Sequence, residues 1–92
     1  MGVDIRFNWA LQTELLGELE EKATYTFEKS GNRIFPLKTP IDLISMNREA
    51  VAKIKVTEFT NKIEITTGKY EVVKIYQGTE KEVLTQYWRE NQ

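Results

Sequence analysis

"AVAKIKVTEF", residues 50–59, is the stretch on which the fold turns. Ala50, Ala52, Ile54 and Val56 face one way, and Lys53, Lys55 and Thr57 the other. That period of two belongs to a strand with one buried face. Downstream, "TNK" (60–62) reverses the chain into "IEITT" (63–67), with Ile63 and Ile65 expected to face in. Gly68 reads as a further reversal, into "KYEVVKIYQ" (69–77). Upstream, "NRE" (47–49) is a turn and "IDLISM" (41–46) a strand.

The N-terminal third carries the same alternation. "IRFNWALQ" (5–12) sets Ile5, Phe7, Trp9 and Leu11 against polar neighbours, so these aromatics are expected in the core. "ATYTFEK" (23–29) alternates Ala23, Tyr25 and Phe27 with Thr24, Thr26 and Glu28, and Ser30-Gly31-Asn32 ends it as a turn. Between them Leu11, Leu15 and Leu19 are spaced for a helix, but Gly17 costs about 1 kcal/mol there. The reading leaves helix or loop open over 14–22 and prefers a long hairpin connection with one helical turn.

The chain's end changes character. Thr79 is placed as an N-cap with Glu82 three residues on, and Val83, Leu84, Tyr87 and Trp88 form one apolar stripe. A helix over 79–90 is therefore expected to dock on a barrel formed by about 4–77. The fold class is mainly β (β-rich α+β): a small pseudo-barrel of about six strands with one C-terminal helix, in a single domain.

"GNRIFPLKTPID" (31–42) interrupts this pattern with both prolines of the chain. Pro36 and Pro40 lack an N–H and bias Phe35 and Thr39 toward extended geometry. The segment reads as a stiff crossover between two parts of the barrel. Its other reading is a rigid loop presenting Arg33, Phe35 and Lys38 to an anionic ligand.

Composition removes many chemistries. With no Cys and no His, the chain has no disulfide, no thiolate or imidazole metal site and no Ser-His-Asp or Cys-His catalytic set. Neither phosphate-cradling glycine motif occurs. Glu14, Glu18, Glu20 and Glu21 read as a solvated surface. A non-enzyme without cofactor or metal is expected. The net charge is −1, which argues against a general nucleic-acid binder. Its distribution is uneven: residues 31–77 hold eight bases against five acids, whereas residues 1–30 hold six acids against three bases. No apolar run approaches the roughly 20 residues of a membrane span, and a cytoplasmic protein is expected.

Gly31, Arg33, Pro36, Pro40 and Ile41, followed by Ala52, Ile54 and Lys55, resemble the pattern of a small uncharacterised family of Bacillus-type bacteria, over about the first two-thirds of the chain. That family is similar in fold to PUA-like barrels, which are often attached to RNA-modifying enzymes. The resemblance implies a pseudo-barrel and recognition of RNA or nucleotides. The helix over residues 79–92 extends past where the family usually ends.

Together these readings predict a non-catalytic binding module for RNA or another anionic ligand. Arg33, Lys38, Lys53 and Lys55 would contact phosphate, and Phe35 would stack or pack at the rim. The alternative is a protein-interaction or homo-oligomeric module acting through sheet edges or the Tyr87-Trp88 face.

Overall fold

A computed structural model of the chain describes residues 7–14 and 18–90. In chain order the elements are β1 (Ala10–Gln12), β2 (Thr24–Ser30), β3 (Pro40–Ile44), β4 (Ala50–Lys62), β5 (Ile65–Ile75) and α1 (Gly78–Glu90). The strands form one sheet in the order β1-β3-β4-β5-β2. β1 runs parallel to β3, and the remaining pairs are antiparallel. The sheet curls into a half-barrel whose two edge strands approach each other, where Lys29 Nζ of β2 donates to the Gln12 carbonyl of β1. No helix among the described residues is long and apolar enough to cross a membrane.

The curl has local causes. Three irregularities interrupt the pairing: Val51 in β4 against β3, and Val73 in β5 and Thr57 in β4 along the central hairpin. Each extra residue bends its strand and increases the local twist. The buried face of β4 is the expected one, with Ala50, Ala52, Ile54 and Val56 all at 0% exposure. Leu11, Phe27, Ile41, Leu43, Tyr70 and Val72 complete the core with them.

The strand count is five rather than six, because Gly68 is not a turn. β5 runs straight through it, pairing Gly68 with Phe27 on one side and with Phe59 on the other. The glycine is there for room: a Cβ at this position would lie 2.4 Å from the Glu58 carbonyl oxygen and 2.8 Å from two ring carbons of Phe27. The reversal before β5 falls at Ile63-Glu64, with Glu64 at φ +59°, so β4 is longer than expected. Ile63 consequently sits on the turn, 91% exposed, and Ile65 lies on the rim instead of facing in.

The N-terminal strand is shorter than the alternation suggested. Of residues 5–12 only Ala10–Gln12 pair, and Ile5 lies outside the described residues. Phe7 and Trp9 are 45% and 58% exposed, not in the core. β1 and β2 do not form a hairpin, because β2 takes the outer edge of β5 and β1 that of β3. In the 14–22 connection Leu15, Leu16 and Gly17 lie outside the described residues. Glu18–Glu20 are irregular and Glu21-Lys22 form a turn.

Residues 31–39 are a crossover, carrying the chain from the β2 edge to β3. Pro40 opens β3 at its first position, where a missing N–H is tolerated. Phe35 points into the half-barrel and is 2% exposed. Its ring meets Phe27 at 5.4 Å and Phe59 at 5.9 Å, both edge-on at 76°. This corrects the expectation of a ring at the rim of a binding site: Phe35 packs inside the half-barrel between Phe27 and Phe59.

Candidate anion-binding cleft

The crossover is fixed by Thr66, a polar side chain with no solvent exposure. Its hydroxyl donates to the Gly31 carbonyl at 2.8 Å and accepts the Arg33 N–H at 2.8 Å. Gly31, at φ +81°, also donates its N–H to the Glu64 carbonyl. These bonds aim Arg33 back across the mouth of the half-barrel, where its Nε donates to the Ser30 carbonyl at 3.0 Å. On the other side the Asn8 N–H and side-chain amide both donate to the Ile34 carbonyl. The N-terminal segment is thereby tied to the crossover.

A cleft of about 200 Å³ lies where these segments meet. Ala10 and Gln12 of β1 form one wall, Lys29 and Arg33 a second, and Arg48 with Trp88 a third, over a floor that includes Phe35. Lys29, Arg33 and Arg48 therefore share a small cleft, and no carboxylate stands among its described lining residues. The Lys29 ammonium is held below its usual pKa, first by burial and then by repulsion from the Arg33 guanidinium. A bound anion would oppose the shift by favouring the charged ammonium.

The third wall depends on α1, in which no described residue is buried. Its docking is largely polar and centres on Asp42, whose carboxylate accepts the Tyr76 hydroxyl and, at 2.7 Å, the Trp88 indole N–H. Burial raises the Tyr76 pKa, and the bond to Asp42 raises it further. Arg48, at φ +65°, donates from Nε and Nη2 to the Trp88 carbonyl at 2.9 and 2.6 Å. A guanidinium there is favoured by the exposed carbonyls and negative dipole end of the last helical turn. The Ala50 N–H donates to Thr85 Oγ1 at 3.0 Å, and Lys74 pairs with Glu80 at 2.7 Å.

Asp42→Ala is accordingly expected to loosen the helix without melting the sheet. Leaving two partly buried donors without an acceptor costs about 1–3 kcal/mol each. Hydrogen exchange should quicken throughout residues 78–90 while β4 and β5 stay protected. Uniform loss of protection over the sheet would refute this division.

Of the residues singled out in the sequence, Arg33 and Phe35 border this cleft, Phe35 only as buried floor. Lys38 lies at an exposed turn with φ +58°, its N–H donating to the Val56 carbonyl. Lys53 and Lys55 occupy the face of β4 opposite the core. Lys53 stands in register with Asp42 and Lys74, and Lys55 with Pro40 and Glu71. The five do not converge. Trp88 is tied to Asp42, and Tyr87 stands against it at 5.0 Å with half of its surface exposed.

Lys29, Arg48 and Trp88 were not assigned to a binding site from the sequence. Lys29 had a signal, since the alternation that buries Tyr25 and Phe27 carries it onto the same face. Arg48 had none, because its position depends on a left-handed residue in the β3–β4 loop.

The geometry thus defines a small curled half-barrel with a cationic cleft at the mouth closed by its crossover and helix. No family model and no curated protein matches the chain. Among solved structures, the crystal structure of protein ytmB from Bacillus subtilis shares the fold, with a TM-score of 0.63 at 22% identity. The likeness covers 83% of this chain and 95% of that one. It fits the Bacillus-type resemblance of the proline-containing crossover and concerns the fold.

Proposed function

We propose that the domain is a non-catalytic binding module for single-stranded RNA, taking backbone phosphate in the cleft between β1, the crossover and α1. The observation that supports this is the convergence of Lys29, Arg33 and Arg48 on one small cleft with no carboxylate among its described lining residues, in a chain whose net charge is −1. Guanidinium groups suit phosphate because their planar fork of donors matches its oxygens. Phe7 and Trp9, whose exposed rings lie 6.1 Å apart, flank the wall residue Asn8. Exposed rings beside cations are what unpaired bases stack upon. The PUA-like resemblance favours the same partner class, and such a partner fits a cytoplasmic protein.

Three phosphate-contacting cations on a single strand imply a slope of about −2 for log K against log salt concentration. Titration of a labelled oligonucleotide at several salt concentrations measures it. Arg33→Gln is expected to flatten the slope by about 0.7. Lys53→Ala with Lys55→Ala, on the far face of β4, should leave it unchanged. Absent or salt-independent binding would remove the proposal.

A further inference from the structure

We infer that α1 is a detachable strap whose docking completes the cleft, so that the docked helix and an anion held there stabilise each other. This rests on the anion-site reading above and adds what assembles that site.

The helix is attached to the half-barrel without being built into it. No described residue of α1 is buried, and Val83 and Tyr87 of its apolar stripe stay exposed. The described core draws on the five strands, on Phe35 of the crossover and on Leu19, and on nothing from α1. The sheet therefore keeps its packing when the helix leaves. A helix of 13 residues is marginal by itself in water, so an undocked α1 unfolds.

What holds it is a short set of polar contacts, most of them in its last two turns. Thr85 Oγ1 accepts the Ala50 N–H, the Trp88 indole N–H donates to Asp42, and the Trp88 carbonyl accepts from Arg48. Two exposed ion pairs, Lys74 with Glu80 and Arg89 with Glu49, add to these. Pairs of that kind contribute little.

Trp88 serves both structures. It anchors the helix on Asp42 and, with Arg48, forms the third wall of the cleft. Undocking carries the indole away from the cleft and takes from the Arg48 guanidinium the carbonyl that orients it. The other walls have fixings of their own, since Lys29 bonds to the Gln12 carbonyl and Arg33 to that of Ser30. An anion that uses all three walls thus binds the docked form more tightly. By linkage it must stabilise docking by the same factor.

The sign of one substitution separates this coupling from plain electrostatics. Asp42 stands outside the described lining of the cleft. Removing its negative charge should, by charge alone, favour an anion. Through the strap it should do the opposite, because a smaller docked fraction lowers the apparent affinity.

The probe is the labelled single-stranded oligonucleotide of the salt titration, added to the intact protein. At about fifty times its Kd, hydrogen exchange over residues 78–90 should slow at least fivefold, since exchange there passes through the weakly binding undocked form. Asp42→Ala should weaken binding at least threefold. Thr85→Val, which keeps shape and charge and lies outside the described lining, should weaken it in the same direction. Protection of β4 and β5 reports whether each variant is folded, and Thr85→Val decides if Asp42→Ala is not. Suppose the oligonucleotide binds with its salt slope. Unchanged helix exchange, or a folded variant that binds as well as the unaltered protein, would then overturn the strap and leave the cationic site standing. Absence of salt-dependent binding would overturn both.

Discussion

Gly68→Ala is expected to be among the most damaging single-methyl changes this chain can suffer, costing about 3 kcal/mol or more. Propensity alone predicts the opposite sign, since Gly within a strand is worse than Ala by roughly 0.5–1 kcal/mol. Geometry overrides it. The new Cβ would meet the Glu58 carbonyl oxygen at 2.4 Å and two Phe27 ring carbons at 2.8 Å. A ring can swing aside, but a carbonyl fixed in the β4–β5 ladder cannot. At about 4–8 °C per kcal/mol for a domain of this size, the midpoint of thermal unfolding should fall by roughly 12–24 °C. A Phe27→Ala background separates the two contacts. There the substitution should cost less, but still destabilise through the carbonyl. A stabilised Gly68→Ala protein would mean that the Phe27 ring and the Glu58 backbone do not crowd this position.

Phe35→Ala should rival it, at about 3–5 kcal/mol, because removing a buried ring leaves a cavity. The ring is 2% exposed and is clasped edge-on by Phe27 and Phe59. Phe35→Leu refills most of the space and should cost much less, about 1.5 kcal/mol. Urea unfolding of both variants measures the difference through the midpoint at constant slope. A ligand-stacking Phe35, as the sequence allowed, would behave otherwise: Ala would remove binding and leave the midpoint where it was.

These two residues also show what the sequence could reveal. The alternation at Ala50–Val56 fixed one strand and its buried face, because a period of two has one structural reading when cations mark the other side. Gly68 was ambiguous by chemistry. The same missing side chain that permits a turn also permits a close approach, and only the neighbouring strands decide between them. Phe7 and Trp9 were misplaced because alternation specifies a face but not how far the pairing extends. The helix was visible from its apolar stripe, yet its anchor was not. Asp42 sits thirty-odd residues upstream in a strand, and nothing local marks a carboxylate that will accept from Tyr76 and Trp88. The cleft was half legible. Arg33 stood out in its proline-bounded segment, while Lys29 and Arg48 reach it only through the curl of the sheet.

The strand order has a temporal side. The β4–β5 hairpin is the one long pairing between sequence neighbours, whereas β2 must wait for β5, and β1 for β3. Closing such loops before any reward arrives slows folding. During synthesis the chain emerges from its N-terminus, so Thr24–Ser30 leaves the ribosome as an unpaired edge and stays so until Ile65–Glu71 has followed it. Folding is therefore expected to start in the later half and recruit the earlier one. Its most exposed interval is the time needed to make about forty residues.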